Sequence, residues 1–258
     1  MLALAYAKLR FLMNTLTFPI LRQLADGQFH SGEALAKQFG VTRATIWSAV
    51  QQAQGFGVEI FSVRGRGYKL PKPIDWLDKK AVLQAIGAER EWFQVEVLDE
   101  VASTNTYLMQ AAAKGAPHVS CVVAYIQTGG RGRRGRTWIS HLGASLTFSL
   151  LWRFGCGASA LSGLSLAIGV ALMRALNELG INTAKLKWPN DVLAGGRKIS
   201  GMLIEAGNAG YAVGVGINIV SSPPDDEVRF PATNLHDFAV TSPAPEVLLA
   251  ALCGHFDN

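Results

Sequence analysis

Residues 129–138 read GGRGRRGRTW: four arginines and four glycines with one threonine and one tryptophan, set between the apolar runs CVVAYIQ (121–127) and SLTFSLLW (145–152). The flanking runs have the length and composition of strands. The chain must therefore build a sheet in which two strands are joined by a cationic, glycine-rich loop. Glycine removes the penalty on unusual dihedrals and lets backbone N–H groups approach a ligand, while arginine offers a permanently charged planar fork matched to phosphate or carboxylate oxygens. Such a loop is suited to wrap an anion, and the indole of Trp138 can add a stacking face for a flat ring. Phosphate plus flat ring points to a nucleotide. The competing reading is an arginine-glycine tract that binds RNA, but such tracts repeat in low-complexity tails, whereas this is one copy between strands. Four like charges and high backbone entropy predict a loop without fixed structure when empty.

The 258 residues are enough for two domains, and 49% apolar with 17% charged residues fits a soluble globular protein. The net charge of +5 is unevenly placed: residues 1–75 hold nine Lys or Arg against four Asp or Glu, and the remainder holds fifteen of each. A basic first quarter joined to a neutral larger part predicts nucleic-acid binding in the first and separate chemistry in the second. Cys121, Cys156 and Cys253 are odd in number and lack metal-ligand spacing, which favours a reducing cytoplasm over a zinc site or disulfide framework. The opening residues are apolar, but Lys8 and Arg10 follow the apolar stretch, so neither a signal peptide nor a membrane span is expected; residues 1–13 read as an extension before a start at Met13. Residues 158–176 read as a buried helix interrupted by Gly163, Gly169 and Arg174.

In the first quarter, helical periodicity over residues 16–24 stops at Asp26-Gly27. Ser31 is placed to cap a helix ending at Gly40, and Thr42 to cap a third helix ended by Gly55 and Gly57. Two helices joined at Gly40-Val41 make a helix-turn-helix. VEIFSVRGRGYKL then predicts a two-stranded wing with Val58, Ile60 and Tyr68 packing and a basic tip. In such folds the third helix enters the major groove and the wing meets the backbone. Arg43, Thr45, Ser48 and Gln51 are the base-edge candidates; Arg64, Arg66 and Lys69 are the phosphate candidates. Trp47 reads as a packing residue, and a protein-interaction module is the alternative use of the fold. Residues 71–73 are a short linker, dividing the chain into 1–73 and 74–258.

Beyond the linker, Ser103-Thr104-Asn105 follows a strand-like run and opens a helix, where polar ligand groups are readily bound. KWPND (187–191) brings a lysine, an amide and a carboxylate together at a proline bend. KISGMLIE (198–205) begins a strand after Gly195-Gly196, and GVGINI (214–219) completes a hairpin with a buried amide at Asn218. A last helix is expected over residues 244–256.

Taken in order, STN, QxxGRGRRGRxW, KWPND, KxxGxLxE and GxGIN resemble the biotin protein ligases over nearly the whole chain. FHSGEALA (29–36) and GRGYKLPKPI (65–74) resemble the winged helix of the bifunctional kind that also represses biotin-synthesis genes. The resemblance implies an α+β fold: an N-terminal winged helix-turn-helix, then a catalytic domain with a mixed sheet related to class II aminoacyl-tRNA synthetases. It implies ATP, Mg²⁺ and biotin, with biotinyl-5′-AMP formed first and biotin then passed to a lysine of a biotin carboxyl-carrier protein. By position, Ser103, Thr104, Asn105, Gln127 and Gly201 correspond to the biotin subsite. Arg131, Gly132 and Arg133 correspond to the loop over carboxylate and phosphate, and Lys198 to the lysine beside them. Arg134, Arg136, Trp138, Lys187, Asn190 and Asn218 correspond to the ATP subsite, and Asp191 to a metal contributor. Arg131, Arg133 and Lys198 are the catalytic candidates. Operator DNA, an adenylate-bound homodimer with biotinyl-AMP as corepressor, a cytoplasmic location and no membrane contact complete the implication. Full-length members continue into a small SH3-like C-terminal domain, absent from this sequence, so reduced activity is expected, most of all in transfer. A biotin-sensing regulator without efficient ligation and a lipoate or octanoate ligase stay open as alternatives; the latter share the fold but lack the arginine loop.

Overall fold

The structure is a computed structural model that describes residues 15–87, 93–155, 163–238 and 243–255. The expectations for residues 1–13, Cys156, 158–162 and Phe256 lie outside them. The chain divides into two compact units, Met1–Ile74 and Asp75–Asn258.

Among the described residues of the first unit, three helices form where the punctuation dictates. α1 (Thr17–Leu24) is amphipathic and buries Ile20, Leu21 and Leu24. α2 (Gly32–Phe39) starts at Ser31, whose hydroxyl accepts from Ala34 N, and ends at Gly40 with φ +66°. α3 (Arg43–Gly55) is capped by Thr42, which accepts from Thr45 N, and it buries Ile46, Ala49, Val50 and Ala53. The wing is an antiparallel pair, β1 (Phe61–Val63) and β2 (Gly67–Lys69). A second backbone connection runs from Tyr68 to His30, each N–H donating to the other's carbonyl at 2.9 Å. Gly67 makes that approach feasible: at φ +104°, a Cβ there would lie 2.0 Å from His30 O.

The second unit is a seven-stranded mixed sheet in the order β3-β4-β5-β9-β8-β7-β6. β3 (Gln94–Val101) and β4 (Ser120–Gln127) are parallel, joined through α5 (Thr104–Ala113). The other strands are antiparallel to their neighbours: β5 (Ser145–Trp152), β6 (Lys185–Lys187), β7 (Asp191–Ala194), β8 (Arg197–Gly207) and β9 (Gly210–Asn218).

Period-two alternation gives the sheet two unlike faces. On one, Phe148 and Leu150 of β5 and Val213, Val215 and Ile217 of β9 pack with α4 (Lys79–Ile86), α6 (Leu164–Glu178) and α7 (Pro245–Gly254) into the main core. The other carries Thr147 and Ser149 of β5 and Gly214, Gly216 and Asn218 of β9. There α5 covers Val122 and Leu151 with Leu108 and Ala112. α6 departs from the expected buried helix. Ile168, Leu172 and Leu176 are inside, but Leu166 and Val170 point outward, so it is amphipathic rather than enclosed. Among the described residues no helix is long and apolar enough to cross a membrane.

Candidate active site

The second face of the sheet becomes a site because α5 begins over it. Ser103 caps α5, its hydroxyl 3.5 Å from Thr106 N. Thr104 donates from both its N–H and its hydroxyl to Gln127 Oε1, at 2.8 and 3.0 Å. Ser149 Oγ lies 2.7 Å from Thr104 Oγ1 and 2.6 Å from Asn105 Oδ1. Asn105 Nδ2 donates to Leu203 O at 3.1 Å and to Glu205 Oε2 at 2.8 Å, so both amide protons are engaged inside the protein. Gly214 makes room for this amide: a Cβ there would stand 2.5 Å from Asn105 Oδ1. These buried groups are mutually satisfied, which removes the desolvation penalty a loose polar cluster would carry.

The arginine loop is not the structureless segment expected from its composition. Its neck is closed by hydrogen bonds from Gly132 N to Arg136 O at 2.7 Å and from Trp138 N to Gly130 O at 3.0 Å, with a short 3-10 turn at Arg133–Gly135. At the base, Arg131 is drawn away from its like-charged neighbours by Glu205, whose two carboxylate oxygens accept from Nη2 at 3.0 and 2.9 Å, while Nη1 donates to Thr106 Oγ1 at 2.9 Å. Arg133, Arg134 and Arg136 remain exposed at the tip. Trp138 then lies flat on the sheet. A Cβ at Gly216 would come within 2.3 Å of its Cε2, and one at Gly201 within 3.3 Å of its Cζ3.

Lys198 and Asp191 face each other across β8 and β7 with Nζ 2.7 Å from Oδ1. The contact is an ion pair without a directed hydrogen bond. Asn190, which follows the cis Trp188–Pro189 bond, donates to Met202 O at 2.7 Å. Asn218 Nδ2 donates to Thr233 O at 3.0 Å. The segment after β9 returns along β8, with Lys198 N donating to Pro231 O and Thr233 N to Lys198 O. It brings Phe230 beside three cations: Lys187 Nζ is 3.9 Å from the ring centroid, and the guanidinium carbons of Arg136 and Arg229 are each 5.7 Å away.

Together these elements enclose a cavity of about 440 Å³. Of the proposed site residues, Ser103, Thr104, Asn105, Gln127, Arg131, Gly132, Arg133, Arg136, Trp138, Asn190, Asp191, Lys198, Gly201 and Asn218 line it. Arg134 and Lys187 do not: Arg134 is exposed, with φ +58°, and Lys187 Nζ stands over the Phe230 ring. Trp138 Nε1, Thr147 Oγ1 and Asn218 Oδ1 are buried in the lining without a hydrogen-bond partner among the described residues. Each such group costs about 1–3 kcal/mol unless a ligand or water satisfies it. Among the lining cations, Arg131 and Lys198 are neutralised by Glu205 and Asp191. Arg133, Arg136 and Arg229 make no ion pair among the described residues. The cavity therefore offers surplus positive charge and unmet donors and acceptors to a polar anion.

The site also draws on Thr147, Ser149, Arg229 and Phe230, which no sequence motif singled out, and on Glu205, which KxxGxLxE contains without indicating its role. Thr147 and Ser149 carried a legible signal, because SLTFSLLW alternates polar and apolar residues as a strand with one chemical face does.

In the first unit, Arg43, Trp47, Ser48 and Gln51 share the outward face of α3, while Thr45 is half-buried with its N–H on the Thr42 hydroxyl. Trp47 is 57% exposed, contrary to its reading as a packing residue. The helix buries its Ile46, Ala49, Val50 and Ala53 side, and position 47, about 100° round the helix from 46, falls on its exposed flank. Arg64 is exposed at the wing tip; the guanidinium of Arg66 sits 4.0 Å from the Phe29 ring centroid, and Lys69 Nζ 5.7 Å.

Residues 97–219 match the biotin/lipoate A/B protein ligase family, and residues 17–69 match an HTH domain. The chain is 39% identical over 220 residues to the bifunctional ligase/repressor BirA of Escherichia coli, spanning 83% of this chain and 67% of that protein. It is 30% identical over 222 residues to the same-named protein of Bacillus subtilis, spanning 83% and 68%. Among solved structures, the biotin protein ligase of Leishmania major in complex with biotinyl-5-AMP aligns with a TM-score of 0.57 at 31% identity, covering 64% of this chain and 74% of that one. The biotin protein ligase of Aquifex aeolicus in complex with biotin and ATP aligns with a TM-score of 0.55 at 33% identity, covering 64% and 69%.

Proposed function

The chain belongs to the biotin protein ligases, with the HTH domain of the bifunctional ligase/repressors ahead of its catalytic unit, and from this we propose that it activates biotin with ATP and transfers it to a carrier-protein lysine. A biotin carboxylate oxygen attacks the α-phosphorus, the bond to pyrophosphate breaks, and biotinyl-5′-AMP is held. The lysine amine of the carrier then attacks the acyl carbon; an amide forms, AMP leaves, and the amine proton passes to solvent. The protein contributes position and charge rather than a covalent intermediate.

Ser103, Thr104 and Gln127 are the partners for the ureido head of biotin, with Asn105 bracing them and Gly201 leaving room. Gly132 and Arg133 close over the carboxylate and α-phosphate, where Lys198 offsets developing negative charge. Trp138, Asn190 and Asn218 serve the nucleotide, and Arg136 its phosphates. Asp191 fits Mg²⁺, which commonly takes one or two carboxylates and completes its shell with phosphate oxygens and water; its Oδ1 is buried with no directed hydrogen bond. When bound there, the ion neutralises phosphate charge.

The observation that carries the ligase reading is the coincidence of unpaired cations with three unpartnered buried polar atoms in one cavity. The test supplies biotin, lipoate or octanoate separately with ATP and Mg²⁺ and measures pyrophosphate release. Biotin alone is expected to support it. Release with the other acids instead points to a lipoate or octanoate ligase, and none with any acid removes the enzyme.

The exposed face of α3 and the basic wing support operator DNA as a second partner, with Arg43, Trp47, Ser48 and Gln51 facing bases and Arg64, Arg66 and Lys69 facing phosphates. In this reading biotinyl-AMP is also the corepressor and favours a homodimer that meets two half-sites in the cytoplasm.

A further inference from the structure

We infer that Glu205 is the positioning residue of the arginine loop: its carboxylate ties the loop base, through Arg131, to the first turn of α5, through Asn105. The inference rests on the ligase reading of the cavity. Two segments distant from it in sequence converge on this one side chain of β8. Oε2 accepts from Asn105 Nδ2 at 2.8 Å, and both oxygens accept from Arg131 Nη2 at 2.9 and 3.0 Å. Arg131 extends the connection to Thr106 Oγ1 at 2.9 Å. Leu203 O, two residues earlier on the same face of β8, takes the other proton of the Asn105 amide at 3.1 Å.

This geometry divides the four arginines by task. Both terminal nitrogens of Arg131 are engaged within the protein, whereas the side chains of Arg133, Arg134 and Arg136 are exposed and make no ion pair among the described residues. Arg131 is therefore an anchor, and the anion-holding charge belongs to the tip. The Arg131–Glu205 pair is partly exposed, at 42% and 34% of the two side chains, and a pair so wetted adds little to global stability. What two carboxylate oxygens on one guanidinium do fix is direction. A glycine-rich loop loses much conformational freedom when it closes over a ligand, so holding its base in advance lowers the ordering left to be done at binding.

Glu205 thus acts through two neighbours, and the two actions separate by substitution. In Glu205→Gln the side-chain carbonyl can still accept from Asn105, but the charge that holds Arg131 is gone. In Glu205→Ala both connections are lost. On the full chain, the measurements are the release rate of radiolabelled biotinyl-5′-AMP made in situ, the biotin Kd by calorimetry, and the melting temperature as a control for folding. Glu205→Gln is expected to release adenylate about tenfold faster with little change in biotin Kd, while Glu205→Ala also weakens biotin. Arg131→Gln should match the release rate of Glu205→Gln, and the double variant Arg131→Gln/Glu205→Gln should be no faster than either. Wild-type release from Glu205→Gln, or effects that multiply in the double variant, would overturn the assignment. A wild-type chain that makes no adenylate from any acid overturns the ligase reading instead, so the two failures are distinct.

Discussion

A Cβ on Gly216 would lie 2.3 Å from Trp138 Cε2 and 2.4 Å from Cζ2, and both atoms belong to a ring that is itself braced against the sheet. Gly216→Ala must therefore lift the indole off β9. The expected outcome is a loss of ATP affinity of about fivefold to 150-fold, the equivalent of one base-stacking contact worth about 1–3 kcal/mol, with biotin binding less affected; equal calorimetric losses for both ligands would contradict it. Arg133 illustrates the opposite case, a side chain with no ion pair or hydrogen bond to lose among the described residues. Arg133→Ala should leave the melting temperature unchanged yet remove one charge-assisted contact to the adenylate, worth about 1.5–3 kcal/mol. Adenylate yield and retention equal to wild type would refute the role. Burial also sets the character of Cys121: with no exposed surface, its thiol is pushed up to about 12. The raised folded value means that the neutral thiol favours the fold fully below the ordinary value of 9.0, and that this contribution fades as pH climbs toward 12. Alkaline unfolding of Cys121→Ala is accordingly expected to show a shallower dependence on pH above 9.

At the scale of elements, what was legible in the sequence is what local chemistry decides. Ser31, Thr42 and Ser103 cap helices, Gly40 ends one with a positive φ, and Gly195-Gly196 turns between β7 and β8, each where its residue type requires. The motifs of the catalytic unit likewise identified its family. What stayed hidden depends on contacts between remote segments: nothing near Arg131 announces that Glu205, 74 positions later, will claim its fork. Composition argued for a loose loop because it counts four like charges; the fold neutralises one of them and closes the neck. Trp47 was misjudged for the same reason, since an aromatic on a short helix looks like core until the buried side of α3 is known. The wing offers an element-scale test. Gly67→Ala places a side chain at φ +104° and 2.0 Å from His30 O, where left-handed backbone alone costs a non-glycine residue about 1–2 kcal/mol. DNA binding is expected to fall sharply while biotin adenylation is retained; intact DNA affinity would show that the wing does not take part.

For the whole molecule, two units of unlike charge and chemistry share one chain, and a repressor requires that the ligand of one be felt by the other. Thermodynamics makes this demand reciprocal: if biotinyl-AMP tightens binding to DNA by some factor, DNA must tighten binding of biotinyl-AMP by the same factor. The adenylate stabilises whatever conformation or assembly it prefers, by about 4 kcal/mol when its concentration is a thousand times its dissociation constant. If that preference is for a two-fold dimer, two winged helices are presented together, and duplex DNA carrying two half-sites joins the same equilibrium. Sedimentation should then show the adenylate shifting monomer toward dimer, and titration with the duplex upstream of the biotin-synthesis genes should show a matched gain in affinity in both directions. Carrier protein, by consuming the adenylate, should reverse both. Should adenylate leave sedimentation and DNA affinity unchanged, and DNA leave adenylate affinity unchanged, the first unit has no coupling to the cavity and repression by this route must be abandoned, while ligation, measured separately by pyrophosphate release, would stand.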